Sequence, residues 1–263
     1  MMPLSLIVRA KGHTVAGSDR SLVQGRIAAK FDWLTAQGIS LFAQDGSGIS
    51  SSDQIVVASA AVENSVPDIV QATKLGCPRL SRADLLAELF NASAQGIAIG
   101  GTSGKSTVTG MTGWIFRALG CDPTVMNGAV MKNFATPDAP FASALVGQGR
   151  AFISEVDESD GTIALYRPDI AVLNNIALDH KSMAELRALF GDYVSCARIA
   201  VLNADSAEVM ALRPPGALTY SLSGAKADLV ASAIVERPDG VDFAVNGHAV
   251  SLQVPGRHNA ANA

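Results

Sequence analysis

The stretch GGTSGKSTVTG, Gly100 to Gly110, decides how the rest of the chain is read. Its Gly-Lys-Ser core is the signature of a loop that cradles phosphate. In the common G-x-x-x-x-G-K-[ST] spacing, a first glycine would fall six residues before Lys105, and that position is Ile99. The flanks nevertheless fit a phosphate loop. QGIAIGG before it reads as a strand, and KSTVTGMTGWIFRALG after it reads as a helix stopped by Gly120. Gly101 and Gly104 let the backbone curl so that successive N–H groups face an anion, and the helix N-terminus adds partial positive charge. Lys105 supplies a mobile cation, and the hydroxyl of Ser106 or Thr107 is placed to reach a magnesium ion.

Working outward, strands and helices alternate. HTVAGSDR predicts a short strand at Thr14–Ala16 ending in a Gly-Ser-Asp turn. IAAKFDWLTAQG has Ile27, Phe31 and Leu34 at helical spacing and Gly38 as a stop. DQIVVASAA predicts a buried strand, followed by a helix from Pro67 to Leu75 that ends at Gly76. SRADLLAELF predicts a helix opened by Ser81, leading into the next domain. Beyond the loop, RAFISEVDESD and PDIAVLNNIALDH are apolar strands with polar ends, MAELRALFGDYVSCA is a helix, and RIAVLNADS is a strand. The segment from Ala227 to Gly256 alternates and has hairpin turns at Pro238-Asp239-Gly240 and Asn246-Gly247. The expected fold class is α/β. Residues 1–80 form a small Rossmann-like parallel domain, and residues 81–263 form a P-loop-type domain whose parallel sheet carries a small antiparallel appendix.

Composition narrows the function. The chain has 263 residues, 48% hydrophobic and 17% charged, with a net charge of −4 and no basic cluster, which argues against nucleic acid as a partner. The longest apolar run, near Asp169 to Leu173, is too short to cross a bilayer, and MMPLSLIVRAKGH lacks the flanks of a secretory signal. Three scattered cysteines, Cys77, Cys121 and Cys196, suit buried, reduced thiols in a cytoplasmic protein.

Acidic residues collect where the strands end. Glu155, Asp157, Glu158 and Asp160 follow one strand, and Asp179 and His180 follow another. Ligands of open α/β sheets gather beyond the carboxyl ends of strands, and carboxylates beside a polyphosphate hold Mg²⁺.

Four motifs now stand in order: GTSGKST, SEVDESDGT, NNIALDH and PGRHNAANA. Together they resemble the Mur ligase family, ATP-dependent amide ligases of bacterial cell-wall synthesis. EVDESD and GSDRS look most like the branch that adds L-alanine to UDP-N-acetylmuramate, and like its relative that attaches a murein tripeptide. The family's shortened phosphate loop also lacks the early glycine. The resemblance implies ATP and Mg²⁺ as cofactors, and UDP-N-acetylmuramate plus an amino acid or short peptide as partners. It implies that Gly101, Thr102, Ser103, Gly104, Lys105, Ser106 and Thr107 hold phosphate, that Ser106 or Thr107 with Glu155 and His180 hold metal, and that Lys105, Glu155 and His180 serve catalysis. Asn175 lines the site. His258, Asn259 and Asn262 match the adenine pocket; the two asparagines also read locally as a helix N-terminal cap, and the two roles can coexist. Ser18, Asp19, Ser59 and Asn127 are expected on the substrate side. By the same resemblance the chain begins near the family's first helix, after its first strand, and stops before a third, amine-binding domain. Two other readings stay open: a nucleotide-binding remnant without activity, and a P-loop NTPase that couples hydrolysis to movement.

Overall fold

The computed structural model describes residues 1–178 and 181–263. They form two compact units, one of residues 1–89 and 134–146, the other of residues 90–133 and 147–263.

The first unit contains α1 (Met2–Ala10), β1 (Ala16–Ser18), α2 (Arg20–Val23), α3 (Ala28–Ala36), β2 (Ser40–Phe42), β3 (Val56–Ala58), α4 (Pro67–Leu75) and β4 (Arg79–Ser81). Its strands form two parallel pairs, β1 with β2 and β3 with β4. β1 lies further along than the expected Thr14–Ala16, because Ala16 to Ser18 are the residues that register with Ser40 to Phe42. The strand read as buried, β3, is only half-buried. Phe31 and Leu34 are buried with Ile39. Ile27 is not part of that face: it precedes α3 at φ 56° and is exposed. Residues 134–146 complete the unit, with Phe141 edge-on to Trp33 and the Trp33 indole N–H donating to the Asp138 carbonyl at 2.7 Å. α5 (Arg82–Asn91) opens as expected, its Asp84 N–H bonded to the Ser81 hydroxyl at 3.0 Å.

The second unit is built on β5 (Gln95–Gly100), α6 (Lys105–Ala118), β6 (Thr124–Met126), β8 (Ala151–Glu155), β9 (Ile170–Leu173), α7 (Met183–Ser195), β10 (Ile199–Asn203), α8 (Ala207–Met210), β11 (Leu218–Ser221), β12 (Leu229–Arg237), β13 (Gly240–Val245), β14 (His248–Leu252) and α9 (Arg257–Asn262). β7 (Ala144–Leu145) falls in the first unit. The sheet runs β14-β13-β12-β11-β10-β9-β5-β8-β6. It is parallel as far as β12 and antiparallel beyond, so the hairpins extend the main sheet instead of forming a separate one. Asn246 and Gly247, at φ 50° and 82°, make the tight turn that the Asn-Gly pair requires.

β5 sits at the centre because its residues suit burial on both faces; Ile97, Ala98 and Ile99 are all in the core. Its neighbours β8 and β9 lie on opposite sides of it, and the chain reverses direction across the sheet at this point. The carboxyl ends of three strands therefore meet, and the residues that follow them face one crevice. Tyr193 on α7 fastens two of them: its hydroxyl donates to the Ala98 carbonyl at 2.7 Å and lies 3.3 Å from that of Val172. Of the cysteines only Cys77 is buried; Cys121 and Cys196 are exposed, the latter just past α7.

Candidate nucleotide-binding site

The loop from Gly101 to Gly104 turns on two left-handed glycines, at φ 138° and 82°, and delivers Lys105 to the first turn of α6. Gly104 is required by its positive φ, and a Cβ there would also come within 2.9 Å of the Asn262 side-chain tip, Oδ1. Asn175 holds the loop from beneath. Its Oδ1 accepts from Thr102 Oγ1 at 2.9 Å, Ser103 N at 2.9 Å and Ser103 Oγ at 3.2 Å, and its Nδ2 donates to the Ser103 carbonyl at 3.0 Å. The N–H groups at the head of α6 are thus presented on a braced turn rather than a loose one.

Two carboxylates approach this turn from the end of β8. Ser106 Oγ donates to Glu155 Oε2 at 2.7 Å. Lys105 Nζ donates to Glu158 Oε2 at 2.9 Å and to the Gly101 carbonyl at 2.8 Å. Glu158 is buried, so this ion pair is largely shielded from solvent screening and its members are costly to leave unpaired. Glu155 lies over Gly128, where any side chain would collide with its carboxylate. Asn127 is buried and donates to the Ser106 carbonyl at 3.0 Å, tying the end of β6 to the first turn of α6. Among the described residues no group of three or more His, Cys, Asp and Glu side chains is placed to share a metal ion. A hydroxyl beside a carboxylate is nevertheless the oxygen pair that Mg²⁺ takes from protein, since it keeps several of its waters.

Beyond the loop lies a cavity of about 520 Å³, lined among others by Gly104, Thr107, Asn174, Asn203, Tyr220 and His258. α9 forms one wall. Its N-cap is Gly256, so the two asparagines do not cap it. Asn259 instead donates to the Pro255 carbonyl at 2.8 Å and accepts from Asn262 Nδ2 at 3.1 Å. α9 is tied back through Arg257, which donates to the Leu222 carbonyl at 3.0 Å. The turn carrying Leu222 is in turn gathered by Asp205, which accepts from Ser221 Oγ at 2.6 Å, Leu222 N at 2.7 Å and Ser223 N at 3.1 Å. Partial burial pushes the Asp205 carboxyl up, but these hydrogen bonds outweigh it and hold the group below its ordinary value.

The structure brings together Gly101 to Thr107, Glu155, Asn127 and Asn175 at the loop, and His258, Asn259 and Asn262 along the cavity. His180, with Asp179, lies outside the described residues. Ser18, Asp19 and Ser59 belong to the first unit. Ser18 donates to Asp68, Asp19 caps α2 by accepting from Ser21 N at 2.8 Å, and Ser59 follows the end of β3. Sequence reasoning singled out neither Glu158 as the partner of Lys105 nor Asn174, Asn203 and Tyr220 as cavity residues. Position at the end of a parallel strand was the available signal for Asn174 and Asn203.

A family model described as the Mur ligase middle domain matches residues 99–263, and one described as the Mur ligase family catalytic domain matches residues 1–94. The chain belongs to the Mur ligase family. Over 281 residues this Mur ligase chain is 32% identical to the UDP-N-acetylmuramate--L-alanine ligase of Thermosynechococcus vestitus, a match covering 100% of the chain and 56% of that protein. It spans about half the length of the curated relatives it matches. Its fold is that of the UDP-N-acetylmuramate-alanine ligase of Thermotoga maritima, with TM-score 0.81 at 22% identity over 100% of this chain and 60% of that one. The UDP-N-acetylmuramate:L-alanyl-gamma-D-glutamyl-meso-diaminopimelate ligase of Neisseria meningitides is also similar, with TM-score 0.77 at 22% identity over 99% and 86%. A more distant neighbour, the MurF ligase of Thermotoga maritima, was solved in complex with ADP; its TM-score is 0.54 at 15% identity over 82% and 59%. Among the described residues no helix is long and apolar enough to cross a membrane.

Proposed function

We propose that this Mur ligase chain serves an ATP-dependent acid–amino-acid ligase of peptidoglycan synthesis in the cytoplasm, joining UDP-N-acetylmuramate to L-alanine. The observation that carries the reading is the arrangement at the head of α6: Lys105 held between Gly101 and a buried Glu158, beside the Ser106–Glu155 pair. A carboxylate and an amine do not condense unaided in water. In the proposed reaction a carboxylate oxygen of the muramate forms a bond to the γ-phosphorus of ATP. The bond to the β-phosphate oxygen breaks, and ADP leaves. The amine then attacks the resulting acyl phosphate, loses a proton, and phosphate departs. The first step brings anions together. Lys105 neutralises the charge on the outer phosphates, and the braced N–H groups of the loop hold them in line. Mg²⁺, when bound, adds further charge neutralisation, and the Ser106 hydroxyl with the Glu155 carboxylate would hold it, His180 being the family's expected third contributor.

Residues 81–263 are assigned to the nucleotide. Asn127 is assigned to the substrate side of that site, beside Ser106, to whose carbonyl its amide donates. Residues 1–80 are assigned to the UDP part of the substrate, with Ser18, Asp19 and Ser59 at strand ends as contacts. The likeness to the Neisseria ligase supports one alternative amine, a murein tripeptide, on the same phosphate chemistry. The test is phosphate release by the protein supplied with ATP, Mg²⁺ and UDP-N-acetylmuramate, with L-alanine or the tripeptide as amine. Release that depends on both muramate and L-alanine, and disappears in Lys105→Ala, is the expected result. Tripeptide dependence selects the alternative, and ADP binding without any such release selects a nucleotide-binding remnant. Hydrolysis indifferent to both substrates returns the loop to a generic NTPase.

A further inference from the structure

The cavity contains a polar group that neither the phosphate loop nor α9 accounts for. Asn174 follows β9 and is only 4% exposed. Its backbone carbonyl accepts from Asn203 Nδ2 at 3.0 Å, and its Oδ1 accepts from the Tyr220 hydroxyl at 3.2 Å. Burial, and then the charge of Asp205, push the Tyr220 phenol well above its ordinary value, so it keeps its proton and remains a donor. The amide is thus clamped with Oδ1 toward β11. Its Nδ2 is buried and has no hydrogen-bond partner among the described residues. A buried donor left without an acceptor bears its whole desolvation penalty. Such a group in a cavity wall marks a place where a ligand supplies the acceptor.

The second observation is what stands opposite. Asn174 Nδ2 is 3.5 Å from the point where a Cβ on Gly104 would lie, and Asn262 Oδ1 is 2.9 Å from that same point. The Asn262 Nδ2 is engaged by Asn259, which leaves Oδ1 facing this spot. A fixed donor and a fixed acceptor therefore flank one bare patch of backbone on the cavity wall. The N7/N6 edge of adenine presents the reciprocal pair, an acceptor at N7 and an amino donor at N6. Guanine keeps N7 but puts the O6 acceptor where adenine has the amine.

We propose that Asn174 reads the base, donating through Nδ2 to adenine N7 while Asn262 Oδ1 accepts from the N6 amine, and that this pair sets a preference for adenine over guanine nucleotides. The inference rests on the ATP reading above. Guanine meets the Asn262 oxygen with its own O6, so two acceptors face each other without a proton, and a site built on hydrogen bonds rejects such a mismatch strongly.

The test is calorimetric titration of the full chain with ADP and with GDP, in the wild type, Asn174→Asp and Tyr220→Phe. Asn174→Asp keeps an acceptor for Tyr220 and removes the donor. The wild type is expected to prefer ADP, and Asn174→Asp to weaken ADP by about tenfold or more while GDP changes far less, so that the preference collapses. Tyr220→Phe frees the clamp without adding charge; it should give a smaller loss, again confined to ADP, and it carries the test if the aspartate variant does not fold cooperatively. Unchanged ADP affinity in both variants overturns the proposal, as does an equal loss for ADP and GDP or a wild type that binds the two alike. A wild type that binds neither nucleotide removes the ATP reading itself, whereas a wild type that binds ADP beside indifferent variants removes only the role of Asn174.

Discussion

Glu155 and Glu158 stand three positions apart on the same strand end, yet they hold different partners. Glu155 faces the Ser106 hydroxyl, and Glu158 pairs with Lys105 in a buried setting. If Glu155 holds Mg²⁺, its worth lies in the charge that builds as the carboxylate approaches phosphorus, not in nucleotide binding. Glu155→Ala is therefore expected to lower muramate-dependent phosphate release by about a hundredfold or more, with much less change in ADP affinity. Glu158 acts the other way: a phosphate arriving at Lys105 competes with it for the ammonium. Glu158→Gln keeps an acceptor but removes that competition, so ADP should bind a few-fold more tightly, read by titration at constant salt; weaker binding refutes the counter-ion role. The sequence made this distinction only half legible. Lys105 follows from the Gly-Lys-Ser core, and an acidic cluster near it follows from the strand-end rule. Which acid meets which partner depends on how the backbone leaves β8, where Val156 N still bonds to the Ile99 carbonyl and the chain then turns at Gly161. No local pattern encodes that path.

The second unit shows how short elements are positioned from outside themselves. α9 has only six residues and no side-chain cap, so it does not hold its own place. The Arg257 bond to Leu222, and the Asp205 knot that orders the 221–223 turn, set it against the cavity. Because hydrogen bonds hold the folded Asp205 carboxyl below its ordinary value, the ionised form is the one that folding favours. Its contribution is therefore fully present above the unfolded carboxyl's pKa of about 4, and is lost as pH falls through the lower folded value. Asp205→Asn should melt earlier than wild type at pH 7, with the gap closing in melts run toward pH 3. It should also weaken ADP through the loosened α9. A gap that is constant with pH contradicts the ionic role. Elements of this kind were the hardest to read. α7 and the Asn246-Gly247 hairpin declare themselves by periodicity and turn chemistry, and both form as expected. β6 and β11 span only three and four residues, too few for a pattern to show, and exist because neighbouring strands complete their hydrogen bonding. The position of β1 departs from the expected Thr14–Ala16 for a related reason: its register is chosen by β2, not by its own side chains.

At the scale of the whole molecule, the proposed division of labour follows the division into two units. The nucleotide machinery, from Gly101 to Thr107, Asn174 and Asn175, and α9, lies wholly within the second unit, whose central strands are buried. Ser18, Asp19 and Ser59 lie at strand ends in the first unit, whose parallel pairs have three-residue strands and correspondingly few backbone hydrogen bonds to break. A ligand that binds only the folded form raises the free energy of local opening where it binds, by about 2.7 kcal/mol at a hundred times its Kd. Amide hydrogen exchange reads that change segment by segment. Mg-ADP is expected to slow exchange in the loop at 101–107, in the 174–177 segment and in 257–262, and to leave 16–18, 40–42 and 56–59 at their unliganded rates. UDP-N-acetylmuramate alone should do the reverse, slowing 16–21 and the residues after β3 while the phosphate loop stays as it was. The slow core amides of β5, β8 and β9 serve as the internal control, since their exchange requires opening of the sheet and reports global stabilisation instead of contact. Protection by Mg-ADP that falls on β1 to β4 as strongly as on the phosphate loop would contradict the assignment of nucleotide to the second unit, and protection by the UDP substrate confined to the second unit would remove Ser18, Asp19 and Ser59 from the substrate site.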